Sequence, residues 1–165
     1  RHTRYIGDWS SDVCSSDLIK YIMIKHHIIQ FVIMVIVGML FNPMNMLAYR
    51  FNDLYISLTL FYGGLLMASN MIWSHEIVHY FSMGHFNSKI FIIGIILSGI
   101  CVLLLRSQLL VNDKEWLKRM ISHHSTALTT SNKINKNTKN EKIRKLSNDI
   151  IKVQEDEITL MKSLL

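Results

Sequence analysis

A chain of 165 residues, half of them apolar, with a mean hydropathy of +0.24 and a net charge of +6, has the length of a single domain and is too apolar to be disordered. The last third is polar, so the apolar residues crowd upstream. The positive surplus sits near the ends of apolar runs and in the tail, without an aromatic-plus-basic module, which suits anionic headgroups and excludes a nucleic-acid partner from the expectation.

The chain opens on Arg1 to Leu18, RHTRYIGDWSSDVCSSDL, which has neither helical nor strand periodicity and no initiator Met. The segment resembles the translated sequencing-adapter run found at the ends of some metagenomic reading frames. It is set aside from fold reasoning as a fusion scar would be, and the native N-terminus is expected to be missing. Cysteine adds little. Cys14 falls in this segment, and Cys101 lies inside an apolar run, where a single thiol behaves as a small hydrophobe.

Residues 19–111 read as a membrane domain with three spans. Ile28 to Leu47, IIQFVIMVIVGMLFNPMNML, carries no charge and is flanked by Lys25 and Arg50. A span needs roughly 20 mostly apolar residues to cross ~30 Å of hydrocarbon. Pro43 and two asparagines near its end predict a kink or an exit into the interface. Leu54 to Trp73, LYISLTLFYGGLLMASNMIW, is again uncharged, with Gly63, Gly64, Ala68 and Ser69 small enough for a neighbouring helix to approach. Ile90 to Leu105, IFIIGIILSGICVLLL, sits between Lys89 and Arg106, and Leu109 to Val111 could lengthen it. A soluble protein of this size could not bury three such runs, so a multi-pass integral membrane protein is expected, with the lipid bilayer as its first partner. Three crossings put the N-terminus and the tail on opposite faces. Lys20, Lys25 and Lys89 mark one face, and Arg50, Arg106, Lys114, Lys118 and Arg119 the other. The positive-inside rule alone places the tail in the cytoplasm, while the missing N-terminus leaves the orientation open.

After Arg106 the pattern becomes amphipathic. Asn112 predicts an N-cap, and Asp113 and Glu115 suit the positive end of the helix that it starts. Trp116, Leu117, Met120, Ile121, His124, Ala127 and Leu128 recur at helical spacing. Ser131 to Asn140, SNKINKNTKN, predicts a polar turn. A second helix, from about Glu141 to Leu165, carries Ile143, Leu146, Ile150, Val153, Ile158, Met161 and Leu164 on one side. Residues 112–165 are thus expected to form a helical hairpin with one apolar seam. Two helices bury little alone, so that seam should meet the spans or a second copy, giving a homo-oligomer.

Met120 reaches His123 at i+3 and His124 at i+4, so a thioether and two imidazoles can converge over about one turn. Across the seam the second helix offers Gln154, Glu157 and Met161, also at spacings of three, four and seven. Such a set is soft to borderline and favours Cu(I), with Cu(II) or zinc reachable through imidazole and carboxylate. From spacing alone, two structural, hydrogen-bonded histidines are the plainer alternative. The block KRMISHHSTAL, followed some thirty residues on by NDIIKVQEDEITLMKSLL, resembles the domain of unknown function 305 family. Its Met-Ile-x-His-His start falls on Met120, Ile121, His123 and His124. Its second block falls on Ile150, Ile151, Gln154, Glu157, Ile158 and Met161. The resemblance covers roughly residues 112–165. It implies a ferritin-like helical fold and, since some members bind copper through Met and His, a copper ligand set of Met120, His123, His124, Glu157 and Met161. A membrane-anchored branch of that family, with spans before the hairpin, resembles the remainder of the chain. The chain departs from the pattern at Thr130, where a Met commonly follows the histidine pair.

A second constellation is His75-Glu76-Ile-Val-His79, an HExxH on the expected helical extension of span two. Two histidines at i and i+4 can share a metal while the glutamate activates water, and His85 falls where the extended motif has its third ligand. Ser82, however, replaces the glycine of that motif, and nothing upstream builds a sheet or a substrate cleft. An interfacial segment with Trp73, Tyr80 and Phe81 at headgroup level is the plainer alternative, and no enzyme is expected. His75, His79 and His85 also share a membrane face with His26 and His27, which suits an auxiliary metal site. The expectation is therefore an all-α protein of three transmembrane helices and a ferritin-like hairpin. It would handle a metal ion, copper first, without catalysis. The alternatives are a membrane oligomerisation module and, behind it, a membrane metallopeptidase.

Overall fold

The computed structural model describes the backbone of residues 9–165 and the side chains of residue 21 and residues 24–165. Residues 1–8 of the segment set aside above, and the Lys20 side chain, lie outside that range. The described residues form six α-helices, α1 (Trp9–Leu40), α2 (Pro43–Met46), α3 (Leu58–Met83), α4 (Ser88–Ser107), α5 (Asp113–Asn137) and α6 (Glu141–Ser163), with a 3-10 turn at Phe51–Asp53. The chain is all-α, as its periodicities predict. Helix α1 nevertheless takes in residues 9–18, which show no periodicity of their own, because once an apolar helix exists each residue added upstream gains a hydrogen bond.

Two of the three expected spans are long and apolar enough to cross a bilayer, Ile24–Met46 and Ser88–Ser107. The third, expected at 54–73, is not. Its first residues are extended chain, and Ser57 caps the helix by accepting the Leu60 N–H at 3.2 Å. The helix then continues to Met83, taking in Asn70, Ser74, His75, Glu76 and His79, which dilute its apolar character. Its position accommodates this, since α1 and α4 both pack against α3. Small residues set those contacts. A Cβ on Gly64 would lie 2.8 Å from the Val35 carbonyl oxygen, and one on Gly94 would lie 2.9 Å from the Trp73 nitrogen. Ala68 and Ser69 are buried beside them. Gly63, expected in the same role, has no atom within 4 Å of where its Cβ would stand. The outward faces are apolar. Ile28, Val32 and Ile36 on α1 and Ile92, Ile93 and Ile96 on α4 are 50 to 59% exposed.

Pro43 breaks the first run as expected. Helix α1 stops at Leu40, and Asn42 caps the short α2 with its Oδ1 on the Asn45 N–H at 2.9 Å. Leu109 to Val111 do not lengthen α4. Gln108 and Leu110 adopt positive φ of 50° and 61°, and the first of these ends the helix after Ser107.

The hairpin starts where Asn112 predicts, its Oδ1 accepting the Glu115 N–H at 3.0 Å. Its seam is Leu117, Ile121, Leu128, Ile158 and Met161, with Met120 and Ile151 packed against it. The expected turn over Ser131 to Asn140 shrinks to Thr138–Asn140 because its asparagines serve the helices. Asn132 Nδ2 donates to the Leu128 carbonyl at 2.8 Å, and Asn135 Nδ2 reaches Ser147 Oγ at 2.8 Å on α6. The single seam expected on α6 divides in two. Ile158 and Met161 face α5, whereas Ile143, Leu146, Val153 and Leu164 are exposed. At 100° per residue the apolar arc spans roughly half the helix, more than one neighbour can cover.

The link between α1 and α3 holds the hairpin against the bundle. Asp53 is fully buried there. Its carboxylate accepts from Ser125 Oγ at 2.7 Å and pairs with Lys162 Nζ of α6. Ser122 Oγ donates to the Asp53 carbonyl at 2.8 Å, the Tyr49 N–H donates to Ser125 Oγ at 2.8 Å, and Thr126 Oγ1 donates to the Met44 carbonyl at 3.0 Å. Glu115 accepts the Leu58 N–H at 2.6 Å and the Lys118 ammonium at 2.7 Å. The Lys118 hydrogen bond outweighs partial burial and, with the Leu58 N–H, holds this carboxyl below its ordinary pKa. On the same helix burial lowers the pKa of Arg119, which stays charged because arginine titrates so far above neutrality.

Candidate functional site

The two sequence blocks of the hairpin meet in space. His124 of α5 lies across the seam from α6, with Nδ1 2.9 Å from Glu157 Oε2. That distance suits an ion pair, yet the carboxylate lies off the direction of the ring nitrogen, and Nδ1 is sequestered from solvent without a hydrogen bond. Gln154 Nε2 donates to the same carboxylate oxygen at 3.3 Å. Met161 is buried in the seam and Met120 packs against it, so both thioethers fill core space of the hairpin. His123 is exposed, its ring 5.9 Å from that of His124. His124 Nδ1 and the Glu157 carboxylate thus lie on the seam that holds Met120 and Met161, and these residue types form a donor set that fits a soft or borderline ion. Thr130 Oγ1, where the family pattern has a thioether, donates to the carbonyls of Thr126 and Ala127 instead.

The HExxH segment lies near the C-terminal end of α3, on the same helix as expected. Glu76 is not free to act on water. It is 5% exposed, and its Oε2 accepts the Asn87 N–H at 3.0 Å, tying the corner between α3 and α4. His75 and His79 stack at 6.0 Å between centroids, and His79 and His85 follow at 5.6 Å. The His79 Nδ1–H donates to the His85 carbonyl at 3.0 Å, which leaves Nε2 as the lone-pair atom. The row continues onto α1, from His75 to His27 at 6.1 Å and from His27 to His26 at 6.0 Å. Five imidazoles therefore line one end of the bundle, the grouping expected from their placement on one face. Among the described residues no three His, Cys, Asp or Glu groups converge on one point. The arrangement is a row, with His75 and His79 as its i, i+4 pair.

Asp53 and Lys162 were not foreseen as a unit, although they organise the hairpin's seat. A lone aspartate between two apolar runs reads as a solvated turn residue. The usable signal was Ser122, Ser125 and Thr126, which place three hydroxyls on one side of α5 and ask for a polar partner.

The family described as Domain of unknown function (DUF305) matches residues 105–165. The chain is also similar to Uncharacterized protein L153 of Acanthamoeba polyphaga mimivirus. The two are 38% identical over 124 residues, which cover 75% of this chain and 81% of the relative, so the similarity reaches beyond the hairpin into the preceding helices. No solved structure matches.

Proposed function

The chain belongs to the DUF305 family, and from that footing we propose that it is a multi-pass membrane protein that captures a soft or borderline metal ion, copper first, without transforming it. One observation carries the reading. The two blocks of the tail, far apart in sequence, bring His124 and Glu157 together on a seam that also holds Met120 and Met161, and leave His124 Nδ1 without a hydrogen bond. A polar atom in that condition costs roughly 1–3 kcal/mol, which a ligand would relieve. The outward apolar faces of α1 and α4 support the membrane half, since in water they would form patches larger than soluble monomers tolerate. Helix α3, too polar to stand alone in lipid, would cross between them as the inner helix.

The hairpin is half of a ferritin-like four-helix bundle, and the second copy would sit on α6. Ile143, Leu146, Ile150, Val153, Leu160 and Leu164 follow an alternating three-and-four spacing along that helix, with Glu157 in the same stripe. That stripe also favours a second reading, a membrane oligomerisation module whose histidines only satisfy a polar seam.

The test is a Cu(I) titration of the full chain in lipid nanodiscs against a competing chelator, beside a His123→Ala/His124→Ala variant. The metal reading expects the variant to lose one tight equivalent. Identical binding by the two proteins would remove the hairpin from the metal reading and favour oligomerisation as its role.

A further inference from the structure

A cavity of about 20 Å³, the space of one water-sized sphere, lies between α1 and α3 at the histidine end of the bundle. Its walls include His27, Gln30 and Met34 of α1 and Ala68, Met71 and His75 of α3. On each helix the three residues fall at i, i+3 and i+7 and so form one stripe, and the two stripes face each other. His27 and His75 approach to 6.1 Å between ring centroids at one end of the gap. Ala68, 1% exposed, leaves room where a larger residue would close it. Neither His27 nor Gln30 makes a hydrogen bond among the described residues, although Gln30 is half-buried in an otherwise apolar helix. Methionines usually fill gaps, yet here Met34 and Met71 border one that stays open.

The chemistry of these walls is selective. Two imidazoles and two thioethers border the gap, donors that bring no negative charge, and no carboxylate or thiol lines it. A divalent ion would keep its full charge in an apolar setting, whereas a monovalent soft ion meets ligands of its own kind. We propose that this cavity is a Cu(I) site, with the imidazoles of His27 and His75 and the thioethers of Met34 and Met71 as its ligands. His75 belongs both to the cavity and to the histidine row, and because it is itself exposed it opens the site to the surface. The site deepens the metal-handling reading and rests on its membrane half, but shares no residue with the hairpin.

The experiment uses the full chain in nanodiscs, in the His123→Ala/His124→Ala background, titrated anaerobically with Cu(I) against a chelator and examined by X-ray absorption. One equivalent should remain, with both nitrogen and sulfur in its first shell. Met34→Leu/Met71→Leu conserves volume and should remove the sulfur signal and weaken binding at least about tenfold, with helical content unchanged. His27→Gln/His75→Gln should abolish the remaining equivalent. No equivalent left in that background, or one that keeps its affinity and spectrum after the Met→Leu pair, overturns the site. If the background binds as much copper as the unmodified chain and the Met→Leu pair still weakens it, the hairpin reading falls while the cavity site stands.

Discussion

Where α3 begins, a buried carboxylate, two serine hydroxyls and a lysine close on one another and fasten the hairpin to the bundle. Near its other end, about 26 Å along the helix axis at 1.5 Å per residue, five imidazoles stand in a row, and among the described residues only His79 donates a hydrogen bond. The first arrangement spends its polar groups on holding two elements together. The second leaves ring nitrogens available. Polar residues that are fully satisfied read as structure, and the contrast makes the unsatisfied ones informative, His124 Nδ1 within the hairpin included.

The contrast can be broken most sharply at Asp53. Asp53→Ala strands the Lys162 charge and the Ser125 hydroxyl, and should cost roughly 3–5 kcal/mol in chemical denaturation of the full chain in micelles. His75→Ala in the same assay should stay within about 0.5 kcal/mol, since its exposed ring makes no hydrogen bond among the described residues. Comparable losses at the two positions would erase the distinction. A smaller effect separates the two central glycines of α3. Gly64→Ala drives a methyl against the Val35 carbonyl and should destabilise by roughly 1–3 kcal/mol, while Gly63→Ala meets open space and should stabilise by about 0.5–1 kcal/mol through helix propensity. Thermal melts of the pair decide the matter, and equal shifts would contradict the α1–α3 contact.

The smallest effect is one of pH. Because Lys118 and the Leu58 N–H favour the Glu115 carboxylate, its folded pKa is depressed. The stabilisation is therefore full above the ordinary glutamate value of 4.5 and lost as pH falls through the lower folded value. Amide exchange at Leu58 should quicken over that acid range, and Glu115→Gln should flatten the dependence. An unchanged profile in the variant would assign the effect to another carboxylate.

Much of this architecture was legible in the sequence. The helix starts at Asn112 and near Glu141, the break at Pro43 and the gathering of the histidines all follow from capping, proline geometry and spacing. The polarity of α3 was underestimated because a window ending at Trp73 stops short of His75, Glu76 and His79, which the same helix takes in. The division of the α6 stripe was hidden for another reason. Periodicity shows that Leu146 and Ile158 lie on one broad side, but not how much of that side a single partner can reach. Asp53 escaped notice because its partners lie on α5 and α6, far along the chain. The Met34 and Met71 cavity needed the register of α1 against α3, which neither helix specifies alone.

The central claim is that the bundle crosses a bilayer with the hairpin on one face and the histidine row on the other. Single cysteines at Phe81 and at Lys139, in a chain carrying Cys14→Ser and Cys101→Ala, can be tested with a membrane-impermeant maleimide in sealed vesicles before and after lysis. The account predicts that one position labels in intact vesicles and the other only after lysis. Labelling of both from the same side, or release of the chain from the membrane by alkaline carbonate, would contradict it.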